Sequence, residues 1–113
     1  MNYINFETGN KSYKLRLNTR NIVLLEKSLG CNPLHIFGKA GDTIPTITVM
    51  VAILHASLQQ YQHNITLNEA YDIFDEYLED HNTTDFIPVI MEIYKASGII
   101  PKEESKINAE KND

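Results

Sequence analysis

The sequence has no tryptophan and a single cysteine, Cys31, among 113 residues. One thiol excludes an intramolecular disulfide and a disulfide-stapled fold. Glycine and proline are scarce, at five and four, which excludes a collagen-like or low-complexity chain. Basic residues are short as well: ten Lys and Arg stand against fifteen Asp and Glu, for a formal charge of −5. Nucleic-acid binders carry a basic surplus that replaces phosphate counterions, so nucleic acid is not an expected partner. The longest apolar run, Ile44 to Leu58, is about 15 residues, short of the about 20 that cross a bilayer. Met1 to Asn10 has neither a basic segment nor an apolar run, so no secretion signal is expected and the chain reads as cytoplasmic.

Motifs for reaction chemistry are missing too. Asp72, Asp75, Glu76, Glu79, Asp80 and His81 make a dense acidic run, but the glycine and the alternation of a calcium loop are absent. The run reads as a solvated helix face. Cys31 has His35 four residues on, with Pro33 between them breaking any regular spacing; it reads as a small apolar core residue. His35, His55, His63 and His81 fall on different segments, and His55 reads as a core histidine with one hydrogen-bond partner. No P-loop, dinucleotide fingerprint or serine elbow occurs. The expectation is a protein that is not an enzyme and needs no metal or cofactor.

What is present is apolar periodicity, first of period two and then of period 3.6. Ile4 and Phe6 alternate with polar residues, as do Tyr13, Leu15 and Leu17, around Gly9-Asn10. This predicts a β-hairpin over 3–17, with Gly-Asn supplying positive φ angles at the turn. Ile22, Leu25 and Leu29, widened by Val23 and Leu24, predict a helix over about 19–29, capped by Asn18 or Thr19 and closed by Gly30. A short helical turn follows at Leu34 to Phe37, then a loop at Lys39 to Thr43. Pro45 suits a first helical position, and the stretch about 46–62 is apolar nearly all round, which predicts a buried central helix. Thr66-Leu67-Asn68-Glu69 matches a capping box and opens a helix over about 67–80. A fourth helix spans about 85–97, with Phe86, Ile90, Ile93 and Tyr94 inward and Gly98 at its end. Residues 101–113 carry one large apolar residue, Ile107, and predict a disordered tail. The expected fold is α+β, mainly α: one globular domain over 1–100, with an N-terminal hairpin packed on a bundle of about four helices.

Two surfaces stand out as candidates. The second and fourth helices carry more large apolar residues than a single stripe needs, which makes Met50, Ile53, Ile87, Met91 and Tyr94 the candidate partner-binding patch. Lys14, Arg16 and Arg20 lie in a basic N-terminal stretch, whereas Glu69, Asp72, Glu76 and Glu79 lie in an acidic helix. Basic hairpin against acidic helix would make a head-to-tail contact between copies.

The run from Leu15 to Gly30 resembles the opening of tail assembly chaperones from long-tailed phages and prophages of Gram-positive bacteria. Asn32-Pro33-Leu34 with Ile36-Phe37, the run Ile53 to Leu58, the run Thr66 to Asp80, and Ile93 to Ile99 resemble the same family. The resemblance covers about residues 1 to 100 and implies a non-enzymatic protein of the host cytoplasm, not expected in the mature virion. It implies binding to the tape measure protein, held soluble until the tail tube protein polymerises around it. It also implies a second, frameshift-extended form as a partner, this chain being the short one. The composition admits another reading: a small acidic phage-encoded interaction or inhibitory module that imitates nucleic acid with its acidic helix. Apolar dominance with weak salt dependence marks the first reading, and strong salt dependence the second.

Overall fold

The computed structural model describes residues 2–38 and 43–101. Strands β1 (Ile4–Thr8) and β2 (Lys11–Leu15) pair antiparallel, with Ile4 opposite Leu15, Phe6 opposite Tyr13 and Thr8 opposite Lys11. The turn differs from expectation in one respect. Gly9 has φ +56° but Asn10 does not enter the left-handed region, so only the first turn position needs a glycine. The alternation turns Phe6 and Leu15 into the core and leaves Glu7 and Lys14 in solvent.

Four helices follow: α1 (Thr19–Leu29), α2 (Ile47–Leu58), α3 (Leu67–Tyr77) and α4 (Phe86–Ala96). Short 3-10 turns at Pro33–Phe37 and Thr83–Asp85 precede α2 and α4. Each start has a local cause. Asn18 caps α1 by accepting from the Asn21 amide at 2.8 Å, and Thr46 caps α2 by accepting from the Val49 amide. Thr66 and Glu69 close the capping box of α3 in both directions, at 3.1 and 2.8 Å. Asn82 and Asp85 form a second such box ahead of α4. Gly30, at φ +73°, ends α1 as a left-handed cap bonded to Glu26 O.

Three boundaries differ from the sequence expectation. Pro45 precedes the Thr46 cap instead of opening α2. That helix ends at Leu58, with Gln59 as its C-cap bonded through its amide N–H to Ala56 O, and the side chains of Gln59 and Gln62 bind the segments beyond it. Gln59 Nε2 donates to Ile65 O, and Gln62 binds the Lys14 backbone from both sides, accepting from N at 2.8 Å and donating to O at 2.9 Å. Gln62 thus acts as a surrogate strand on the free edge of β2. After Tyr77, α3 tightens through i→i+3 bonds from Glu79 and Asp80. The predicted loop at 39–42 and the predicted tail beyond Pro101 lie outside the described residues.

The helix α2 is the hub. It packs on α1, α3, α4 and β2, and Met50, Val51, Ile53, Leu54 and Leu58 are all buried. Phe6, Phe74, Tyr77 and Phe86 make an aromatic cluster joining hairpin, α3 and α4, with Phe86 edge-on to Phe74 at 5.1 Å and to Phe6 at 5.9 Å. Tyr94 is fully buried and its hydroxyl donates to Pro33 O at 2.9 Å, tying α4 to the first 3-10 turn. Burial pushes that phenol above its ordinary range, and the neighbouring Cys31 adds to the effect.

Candidate functional site

Both α1 and α3 lie against α2, and between them an open groove of about 380 Å³ remains. Its floor is α2, through Thr48, Ala52, His55, Ala56 and Gln59. Small residues at Ala52 and Ala56 keep the floor low. One wall is α1, through Asn21, Leu24 and Ser28; the other is α3, through Leu67 and Tyr71. The helical period explains the walls: 21, 24, 25 and 28 share one face of α1, and 67 and 71 one face of α3. The apolar lips stand out of the protein. Leu24 is 54% exposed, Leu67 45% and Tyr71 44%, whereas large apolar residues in core positions are almost wholly covered.

Polar groups inside the groove are few and mostly fixed. His55 Nε2 donates to Ile65 O at 3.0 Å, and Gln59 Nε2 shares that acceptor at 2.8 Å. Asn21 is 8% exposed, and its Oδ1 is buried without a hydrogen-bond partner. The walls thus offer apolar contact with a small number of polar points, as ligand and peptide grooves do.

The five residues expected to form an apolar surface do not form one. Met50, Ile53 and Tyr94 are core residues, each no more than 1% exposed. They are covered because α2 packs on α1, α3, α4 and β2 everywhere but at the groove floor, so its extra apolar residues, with Tyr94 of α4, are absorbed by a thick core. Ile87 and Met91 are half-buried on α4, away from the groove.

The charged residues expected to join copies are partly engaged within one chain. Arg16 donates to Gln60 Oε1 and to Ala96 O. Lys14 Nζ lies 5.1 Å from the Tyr3 ring centroid. Glu69 is spent in the capping box, which holds its carboxyl below the usual range through the Thr66 amide first and the Thr66 hydroxyl second. Glu76 accepts from Thr8 Oγ1 at 2.8 Å, so the acidic helix α3 already holds its own hairpin tip. Asp72, Asp75, Glu76 and Glu79 line a shallow depression with Lys11 and Tyr13 of the same chain. Arg20 and Asp72 remain exposed, and among the described residues neither has an ion-pair partner.

The groove-lip residues that sequence reasoning did not single out are Leu24, Leu67 and Tyr71. Each continues the apolar stripe of its helix, and nothing local separates the edge of a stripe from its centre. The exposure of Leu24 shows only once α1 is seated on α2.

A family profile described as "Family of unknown function (DUF6096)" matches residues 4–113. The chain belongs to that family. No curated protein and no solved structure matches it. In this DUF6096 chain no group of three or more His, Cys, Asp or Glu is placed to hold a metal among the described residues. No helix among them is long and apolar enough to cross a membrane.

Proposed function

We propose that the chain is a tail assembly chaperone, a non-enzymatic holdase that keeps the tape measure protein soluble in the host cytoplasm and is absent from the mature virion. The observation that carries the reading is the exposed apolar lip, Leu24 with Leu67 and Tyr71, around an open groove of about 380 Å³. Apolar residues grouped on a surface mark a partner site. A groove walled by two helices accepts a third, through anchors at i, i+3/i+4 and i+7. Tape measure proteins are long and helical in the family that this sequence resembles, so they supply such faces in number. Binding lowers the free concentration of the aggregating species by mass action. The frameshift-extended form of the chain and the tail tube protein are further partners on this reading.

Co-expression with the tape measure protein tests it. The expected outcome is a soluble tape measure that co-purifies with this chain or its extended form. A tape measure that stays insoluble with both forms contradicts the reading. The acidic face of α3, with Asp72, Asp75 and Glu79 exposed together, favours a second reading as an inhibitory module that imitates nucleic acid. That reading requires capture of a partner that salt abolishes.

A further inference from the structure

The hairpin has two long edges, and the rest of the chain treats them differently. The two-residue turn makes Thr8 and Lys11 the closing hydrogen-bonded pair. Phe6 with Tyr13 and Ile4 with Leu15 are then bonded pairs too, whereas Asn5 with Lys14 and Glu7 with Ser12 are not. The backbone N–H and C=O of Asn5, Glu7, Ser12 and Lys14 therefore point outward. On β2 that edge is occupied: Gln62 takes both Lys14 groups, and Arg16 N, next along the same edge, donates to Ser57 O. On β1 the edge is open. Asn5 and Glu7 are exposed, and their outward backbone groups have no hydrogen-bond partner among the described residues. The strand is also held in place, with Phe6 in the aromatic cluster and Thr8 on Glu76, so pairing costs little further ordering.

We infer that the open edge of β1 pairs antiparallel with β1 of a second copy, joining two hairpins into one four-stranded sheet across a two-fold axis. Open backbone groups on a strand edge are met by another extended strand. The second copy is the occupant because β1 is its own complement. An axis at Phe6 overlaps the whole strand, with Ile4 opposite Thr8 of the second copy. It sets Asn5 opposite Glu7 of the second copy, twice, and each of those pairs exchanges two backbone bonds. Glu7 is the only charged residue of β1, and in this register it meets an amide. Sliding the pairing toward the turn sets Glu7 against Glu7, and like charges directly opposite are destabilising. Sliding it the other way keeps the acids apart but shortens the overlap. Such a dimer closes on itself, unlike the head-to-tail contact expected from the charge pattern. It does not use the groove between α1 and α3, so it goes beyond the holdase reading and stands without it.

Sedimentation equilibrium of the full chain tests it. The mass should double as the concentration rises to about 1 mM. Amide hydrogen exchange at Asn5 and Glu7 should slow by about tenfold or more between the dilute and the concentrated protein, while Ser12, whose N–H points out of the other edge, exchanges equally fast in both. Asn5→Pro removes an outward N–H that the β1–β2 ladder does not use, as an edge strand tolerates; it should leave a monomer with the wild-type far-ultraviolet spectrum. Asn5→Glu should weaken the dimer about tenfold by setting acid opposite Glu7 at two points. Adding Glu7→Lys should restore it, because the charges across the axis then have opposite signs. These charge variants carry the test if Asn5→Pro does not fold. A chain that stays monomeric up to about 1 mM overturns the inference, and the open edge then belongs to another partner or to none. So does a dimer that survives Asn5→Pro, or one that Leu24→Asp/Tyr71→Asp dissociates while exchange at Asn5 and Glu7 stays fast, since the contact would then be at the groove. A dimer that Asn5→Glu leaves unchanged, or that Glu7→Lys does not rescue, overturns the two-fold pairing at Phe6.

Discussion

Glu69 shows how much a single exposed carboxylate can do at a helix start. It accepts from the Thr66 amide at 2.8 Å while Thr66 accepts from its own amide. Its carboxyl is therefore held below the ordinary value. A carboxylate with a lowered folded-state pKa contributes stability above its unfolded pKa and loses it as pH falls through the folded value. The melting temperature should therefore fall with acidification below the usual glutamate range, and Glu69→Gln, which keeps a capping acceptor, should flatten that part of the profile. A parallel series of thermal melts of wild type and variant checks it. Tyr94→Phe removes the buried bond to Pro33 O. The expected loss is about 1 kcal/mol, seen as a fall in melting temperature of roughly 4–8 °C. Leu54 is wholly covered at the hub. Leu54→Asp buries an unpaired charge and should cost above about 4 kcal/mol, abolishing the cooperative melt.

At the scale of elements, each junction is built from polar groups that reach between segments. The hairpin is held at its tip by Thr8 on Glu76 and along its edge by Gln62. Leu17 N donates to Ser97 Oγ and Arg16 N to Ser57 O, which seats the end of the hairpin on α2 and the close of α4. Gly9 is the tightest point. Its φ is +56°, and a Cβ there would stand 2.9 Å from Glu76 Oε2. Gly9→Ala should cost about 1–2 kcal/mol from the backbone conformation alone, and less in a Glu76→Ala background than beside Glu76. A double-mutant cycle read by denaturant unfolding measures the difference.

These elements also show what a sequence discloses. The caps at Asn18, Thr66 and Gly30 and the hairpin alternation are local patterns, readable because cause and effect lie within four residues. The end of α2 at Leu58 was not readable from Gln59 and Gln62. Gln59 and Gln62 are good helix formers, and their side chains are engaged by Ile65 O and by the Lys14 backbone, the latter 48 residues away in sequence.

For the whole molecule the same distinction governs the site. The architecture of a hairpin on four helices follows from the pattern. The place of the apolar surplus does not, because it depends on how many neighbours α2 acquires. With α1, α3, α4 and β2 packed on α2, its Met50 and Ile53 are buried, as is Tyr94 of α4. The surplus appears instead where α1 and α3 fail to meet, at Leu24, Leu67 and Tyr71. Removing residues 102–113, which contain one large apolar side chain, Ile107, should leave the melting temperature unchanged; a thermal scan of the shortened chain checks it, and a clear fall contradicts it.

The most direct measurement is the soluble fraction of the tape measure protein co-expressed with wild type, with Leu24→Asp/Tyr71→Asp, and with Met91→Asp. Both variants alter side chains that are at least partly exposed and should fold. The account predicts that wild type and Met91→Asp keep the tape measure soluble, whereas the groove variant leaves it in the pellet. Equal solubility with the groove variant, or its loss only with Met91→Asp, would contradict it.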